Sequence, residues 1–394
     1  MQYKYKLCDD TWDQSERNAI QRVIDSGRFS MGTEVQQYEK AFSEKFGCRY
    51  AVMVSSGSAA NLLAVAALVY SGKLKKGDEV IVPAVSWSTT YFPLYQMGLK
   101  LRFVDIDRYT LNINVNSLRE AITEDTKMLC LVNLLGNPND FEQIIDICQS
   151  KNILVMEDNC ESLGAEYQGR KAGTIGLIGT FSTFYSHHLC TMEGGVAVTD
   201  DEELYHYMLC IRAHGWTRNL PKDSKIYEKS ENPFYESYNF IVPGFNIRPL
   251  EMEGAIGCEQ LKKMDEIIMQ RRKNAEYFVE QMTGISEVRT QKEIGKSSWF
   301  GFAVILEGRY QKKRERVVQK LDQAGIEVRP IVAGNFTRNP VVSYLDYTVY
   351  GKLDASDEIH ENGFFIGNHS KDNKKDIDYF MQTFCDILSE VVEV

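Results

Sequence analysis

Between about residues 50 and 200 the chain alternates short β-rich runs with helical patterns, and this alternation limits the fold more than any other feature. The runs are Tyr50–Val54, Glu79–Val85, Leu101–Asp105, Met128–Asn133, Ile153–Glu157, Thr180–Phe184 and Val196–Thr199. Helical segments such as Ala59–Tyr70, Asn116–Ile122 and Phe141–Ser150 separate most of them. Several runs are apolar throughout, as a parallel strand covered on both faces should be. Strand and helix in turn over this length predict an α/β/α sandwich.

After Pro249 the pattern changes. A long helical stretch, Glu251–Gln281, carries Ile256, Leu261, Met264 and Ile268 at helical spacing. A strand (Phe300–Leu306), a helix (Lys312–Ala324), a strand (Ile326–Pro330) and a last helix (Lys375–Val391) follow. We therefore expect N-terminal helices (Ser15–Ser26, Glu34–Phe46) and a large domain over residues 1–250, and a small α/β domain over 251–394. The length suits this division, because single cores stop growing beyond roughly 250–300 residues.

Composition removes several functions. With 45 Lys+Arg against 55 Asp+Glu the net charge is −10, and no basic cluster offsets it, so nucleic acid is not the expected partner. A locally positive pocket can still take an anionic ligand. The stretch from Met1 to Lys6 lacks the apolar segment of a secretory signal. The longest apolar stretch, Ala59–Tyr70, is interrupted by Asn61 and falls short of the ~20 residues of a membrane span. The nine cysteines form no CxC or CxxC, so no zinc ribbon, iron–sulfur cluster or other metal site is expected. They read as free thiols of a cytoplasmic protein.

Three motifs carry chemistry. Ser55-Ser56-Gly57-Ser58 lies between an apolar strand and a helix, where free N–H groups and the positive helix end can hold a phosphate. A serine-rich N-cap is the plainer reading. Glu157-Asp158-Asn159-Cys160-Glu161 ends a strand, at the edge where α/β sheets bind ligands. Asp158 there can face the ring nitrogen of a pyridine cofactor and Glu161 its phenolic oxygen, although acids in a solvated loop are common. Phe181 to Gly195 contains His187-His188, two of only six histidines. Metal ligation, proton transfer and an inert pair all stay open for these two.

In this order and spacing the three motifs resemble the DegT/DnrJ nucleotide-sugar aminotransferases, which are fold-type I pyridoxal-phosphate enzymes. The resemblance runs over nearly the whole chain, from Gly27–Gly32 to Gly367-Asn368-His369. The family carries, before a Glu-Gly-Gly, a lysine that anchors the cofactor covalently. Counting back from Glu193-Gly194-Gly195 puts His187 at that position, and no lysine occurs between Lys171 and Lys222. An imidazole cannot anchor the aldehyde, yet it can move a proton at neutral pH. Relatives with this replacement are 3-dehydratases of 4-keto-6-deoxy nucleotide sugars. The runs Pro83 to Thr90 and Arg212 to Arg218 resemble the branch acting on GDP-linked sugars.

The resemblance implies pyridoxamine phosphate or pyridoxal phosphate as cofactor, a GDP-4-keto-6-deoxy sugar as substrate and L-glutamate as amino donor. Gly57, Ser58 and Ser182 would hold the cofactor phosphate, Trp87 would stack on its ring, Asp158 would meet the ring nitrogen and Glu161 the ring oxygen. Asn246 would reach the phosphate of a neighbouring subunit, which makes the protein a homodimer with shared sites. His214 and Arg218 would line the sugar side, unless they belong to a solvated basic loop. No clustered cysteines suggest an iron–sulfur centre or a reductase partner. An aminotransferase making a 4-amino sugar, the same dehydration of a heptose or a CDP-sugar, and a non-catalytic binder of nucleotide sugars remain alternatives.

Overall fold

A computed structural model of the chain describes residues 3–392; the first two residues of the N-terminal stretch and the last two of the chain lie outside it. Two helices come first, α1 (Gln14–Ser26) and α2 (Thr33–Phe46). Asp13 and Glu16 form a reciprocal capping box on α1. The large unit continues as β1 (Tyr50–Val54), α3 (Gly57–Tyr70), β2 (Glu79–Pro83), α4 (Ser88–Gln96), β3 (Lys100–Val104), α5 (Val115–Ala121), β4 (Thr126–Val132) and α6 (Phe141–Ser150). Then come β5 (Leu154–Asp158), the hairpin β6 (Glu166–Tyr167) and β7 (Arg170–Lys171), β8 (Ile178–Ser182), β9 (Gly195–Thr199), α7 (Glu202–Ile211) and α8 (Pro233–Glu236). The remaining elements are α9 (Glu251–Met282), β10 (Val288–Thr290), β11 (Gly301–Leu306), α10 (Arg314–Gln323), β12 (Val328–Arg329), β13 (Tyr347–Val349), α11 (Asp354–Asn362), β14 (Gly363–Gly367) and α12 (Lys374–Val392).

The main sheet has eight strands in the order β1-β9-β8-β5-β4-β2-β3-β13. It is parallel from β13 to β8, while β9 runs antiparallel to both β8 and β1. The sheet is thus mixed and mostly parallel, as the family resemblance implies. Helix α3 is apolar almost all round and is packed inside one layer, with Ala60, Leu63, Ala64 and Leu68 fully buried. On the opposite face Leu118 of α5 and Ile144 of α6 cover Ile81, Leu129 and Leu131. Coverage on both sides explains why these strands lack polar alternation.

The smaller sheet is antiparallel, in the order β10-β11-β14-β12, and its core joins Phe278, Phe302, Phe364, Phe380 and Phe384. Two segments cross the expected boundary at residue 250. Tyr5 is buried in the small core, bridges to Ile326 and donates its hydroxyl to the Gly367 carbonyl at 2.6 Å. Conversely, β13 becomes the edge strand of the large sheet beside β3. Helices α4, α7 and α11 and strands β10, β13 and β14 have no counterpart in the sequence reading. Of these, α4 holds Pro93 in its interior and β14 begins directly at the end of α11, so neither has a clean start or stop signal. Among the described residues, no helix is long and apolar enough to cross a membrane.

Candidate active site

Strands β1, β2, β5 and β8 end at one edge of the main sheet, and four of the expected residues meet there. Ser56 caps α3, accepting from the Ala59 N–H at 3.1 Å, and leaves the first N–H groups of the helix, at Gly57 and Ser58, without intrahelical acceptors. Ser182, at the end of β8, closes the turn from below. A Cβ on Gly57 would sit 2.6 Å from Ser182 Cβ and 2.8 Å from Cys160 Sγ, so only glycine fits. Gly195 meets an equally hard limit, because a Cβ there would lie 2.2 Å from the Ser56 carbonyl oxygen. This explains the Gly-Gly of the third motif: β9 passes directly under the turn. A glycine-floored cradle with free N–H groups and a serine hydroxyl fits a phosphate monoester.

Asp158 is the second fixed point. Successive side chains of β5 alternate faces, which separates the two acids. The buried Glu157 accepts from the Gly173, Ile175 and Gly176 N–H groups at 2.6 Å each and anchors that turn. Asp158 faces α3 and α4, where its Oδ2 accepts from Asn61 Nδ2 at 2.8 Å and Thr90 Oγ1 at 2.7 Å. Asn61 accepts in turn from Thr180 Oγ1 at 2.6 Å, and Ser86 pairs with Thr90 at 2.7 Å. Two donors on one buried oxygen hold the carboxylate in one rotamer. Helix α4 also delivers Trp87, 59% exposed at its N-terminus, and Thr89, which accepts from Ser58 Oγ at 3.0 Å. These residues fit a pyridoxal or pyridoxamine phosphate: a phosphate cradle, an aromatic cover and a clamped acid for a protonated ring nitrogen.

Glu161 is also close to Asp158. It accepts from the Leu135 N–H at 3.0 Å, and Leu135 holds a left-handed φ of 52° to present that group. Burial pushes the Glu161 carboxyl up to about 7, with the Asp158 charge adding to the shift and the Leu135 bond opposing it.

The histidine loop leaves the sheet at Ser182. Its neck is closed by Thr183 N–H to the Gly194 carbonyl (2.9 Å), Thr191 N–H to the Thr183 carbonyl (2.8 Å) and a Thr183–Thr191 hydroxyl pair (2.6 Å). The two histidines differ. His188 is fully buried and its Nε2 is engaged with the Ser298 carbonyl at 3.1 Å. His187 is partly exposed, its Nδ1 has no hydrogen-bond partner, and its ring meets Phe300 edge-on at 5.1 Å. Burial pushes the His187 imidazole down to about 4, helped by the Arg271 guanidinium. It is therefore neutral, and able to accept a proton, across the physiological range.

Asn246, His214 and Arg218 are not gathered into this cradle within the chain. All three are exposed on the segment after α7. Asn246 bridges to Ala213 and accepts from Arg248 Nε at 3.1 Å, and the His214 N–H donates to the Phe245 carbonyl at 2.7 Å. The segment does lie against the base of α3, since the Ser55 N–H donates to the Ile247 carbonyl at 3.0 Å. Arg218 covers Trp216 at 5.3 Å and lines a separate cleft of about 570 Å³ with Gly32, Glu39, Arg49 and Arg212.

The sequence reading missed Asn61, Thr90 and Thr180, which aim Asp158. One signal was present: Asn61 is the single polar residue in an apolar helical stretch, and a buried amide needs a partner.

Comparison with known proteins shows the family and the fold. The profile of the DegT/DnrJ/EryC1/StrS aminotransferase family matches residues 10–384. A GDP-4-keto-6-deoxy-D-mannose 3-dehydratase of Yersinia pseudotuberculosis is 57% identical over 377 residues, covering 95% of this chain and 96% of its own. A solved GDP-4-keto-6-deoxymannose-3-dehydratase, a histidine-to-asparagine variant with bound GDP-perosamine, superposes with a TM-score of 0.95 at 55% identity over 97% of this chain and 100% of that one. Another structure of such an enzyme, with a trapped PLP-glutamate geminal diamine, gives the same TM-score, identity and coverage.

Proposed function

Because the chain belongs to the DegT/DnrJ/EryC1/StrS aminotransferase family, we propose that it uses this aminotransferase scaffold to remove an oxygen rather than to transfer an amine. It dehydrates GDP-4-keto-6-deoxy-D-mannose at C3, giving GDP-4-keto-3,6-dideoxy-D-mannose. Pyridoxamine phosphate is the cofactor, L-glutamate regenerates it, and ammonia is released. The observation that carries this reading is His187, a neutral imidazole with a free Nδ1, in the loop where the family carries its anchoring lysine.

When bound, pyridoxamine phosphate supplies a primary amine for the substrate ketone and a ring that takes up electrons. The protein's part is to orient it and to move protons. The N–H groups of Gly57 and Ser58 and the Ser182 hydroxyl would hold the phosphate, and Trp87 would cover the ring. Asp158, aimed by Asn61 and Thr90, would face the ring nitrogen. Glu161 would meet the ring oxygen. His187 would take the proton from C4′ as a base. Once charged, an imidazolium this poorly solvated would be a strong acid and would give that proton to the oxygen leaving C3. Beside His187, the buried His188 braces the loop through Ser298.

We also infer a homodimer with shared sites, in which Asn246 reaches the cofactor phosphate across the subunit boundary and His214 and Arg218 meet the sugar nucleotide. Exposed aromatics on the same segment support this: Phe234 is 89% exposed, and Tyr235, Tyr238 and Phe240 are also open. A second copy covering them buries apolar surface that a monomer leaves in water. Nine unpaired cysteines suit the reducing cytoplasm.

The test supplies purified protein with pyridoxamine phosphate, glutamate and GDP-4-keto-6-deoxy-D-mannose. The expected result is loss of water from the sugar by mass spectrometry, with 2-oxoglutarate and ammonia formed. Formation of a 4-amino sugar, or a covalent pyridoxyl-protein after borohydride treatment with pyridoxal phosphate, would establish the aminotransferase instead.

A further inference from the structure

Arg271 of α9 is one of the largest fully buried side chains, 2% exposed. Among the described residues, no carboxylate forms an ion pair with it. Its Nη1 donates to the carbonyls of Phe300 at 3.2 Å and Trp299 at 3.4 Å, and its Nε has no partner. Asp9 is the acid nearest in influence, but its two oxygens are taken by the Ser370 N–H (2.9 Å) and hydroxyl (2.6 Å). Burial lowers the guanidinium only to about 10, so Arg271 stays charged at neutral pH. A buried cation without a counter-ion is costly and calls for a reason.

Its surroundings point to the histidine loop. The Phe300 ring lies 5.1 Å from the His187 ring and 5.7 Å from that of His188. Phe300 is held from both sides: its N–H donates to the Leu135 carbonyl at 3.0 Å, and its carbonyl accepts from Arg271. The Trp299 carbonyl also accepts from Asn368 Nδ2 at 2.9 Å, and the Ser298 carbonyl engages His188. Around His187, the charged or titratable groups are Arg271 from α9, with Arg272 beyond it, and His188 on the same loop. Cys8 and Asp9, from the N-terminal segment, act on Arg271. Arg271 is the one charge among them that bears on His187.

We propose that Arg271 is a positioning residue for the reaction: by holding the Trp299 and Phe300 carbonyls it fixes the 298–300 segment so that Phe300 packs against His187. The inference rests on His187 being the proton-transfer residue. It explains why the loop tolerates a cation with no acid beside it. Beside this geometry, the Arg271 guanidinium helps burial to push the His187 imidazole down.

The experiment is an NMR titration of the full-length chain with ¹³C-labelled histidine, with and without pyridoxamine phosphate, the His187 signal being assigned from H187N. In the unaltered enzyme His187 should stay neutral to about pH 4. In R271M its midpoint should rise by about one pH unit or more. In R271K, which keeps the charge but not the planar fork, the midpoint should stay low while kcat falls about tenfold or more with KM unchanged. A His187 midpoint near ~6.5 in the unaltered enzyme overturns the proposal without any Arg271 variant, which covers failure of R271M to fold. So does a folded R271M that titrates like the parent. If H187N retains dehydration, the functional reading fails; if H187N is inactive and R271M leaves the titration unmoved, only this inference fails.

Discussion

Replacing Glu161 by Gln isolates one energetic term of the site. The carboxyl is pushed up to about 7 from an ordinary 4.5, chiefly by burial, with Asp158 adding to it. A carboxyl that binds its proton more tightly when folded contributes stability below its unfolded pKa and loses it as pH rises through the folded one. The window is therefore about pH 4.5 to 7. Each pH unit is worth about 1.4 kcal/mol, so the window amounts to at most roughly 3.5 kcal/mol. Gln keeps an oxygen for the Leu135 N–H and carries no charge at any pH. The E161Q protein should therefore gain on the parent across this window and keep a constant lead above it. Urea unfolding of both proteins, stripped of cofactor and at one protein concentration, followed by tryptophan fluorescence from pH 4.5 to 8, measures the difference directly. Taking that difference cancels other pH-sensitive groups, including Glu253, which burial also raises to about 7. A difference that does not change with pH, or a variant that loses ground as pH rises, refutes the assignment of a strained, buried carboxylate at Glu161.

Three further outcomes follow from the geometry. H187N should lose dehydration by about 10²–10⁴-fold while binding pyridoxamine phosphate as before, by absorbance titration; unchanged turnover would remove His187 from the mechanism. G57A forces a Cβ to within 2.6 Å of Ser182 Cβ, and cofactor affinity by equilibrium dialysis should weaken about tenfold or more. An unaltered Kd would mean that the phosphate does not bind at this turn. N61L and T90V each take one of two donors from Asp158 Oδ2, a loss of about 1.5–3 kcal/mol to a charged acceptor, and kcat should fall by at least about tenfold. Two variants with normal kcat would show that the carboxylate needs no aiming.

Much of the site could be read from local sequence. Ser55-Ser56-Gly57-Ser58 stands between a wholly apolar strand and an apolar helix, where a phosphate turn and a serine-rich N-cap read alike until the family resemblance favours the first. Asp158 was legible because it ends an apolar run, and His187 because the spacing back from Glu193-Gly194-Gly195 leaves no lysine at that place. These signals work because each is confined to a few neighbouring residues, where chain geometry dictates what the side chains face.

Long-range packing left no such trace. The donors that aim Asp158 come from Asn61 and Thr90, on two other helices, and a polar residue in a helix does not announce which acid it will meet. Arg271 reads as one more charge on a long helix, since periodicity cannot tell a solvated guanidinium from one buried against Trp299 and Phe300. Tyr5 entering the small core and Tyr347–Val349 closing the large sheet are pairings across hundreds of residues. The sequence by itself determined the α/β/α scaffold, the small-residue turn between β1 and α3, and the imidazole in the loop before Glu193-Gly194-Gly195, because those depend on order and spacing. Only the tertiary structure decided which acid is clamped and which charge is left unpaired beside the histidine. Burial and partner choice are properties of the assembled core.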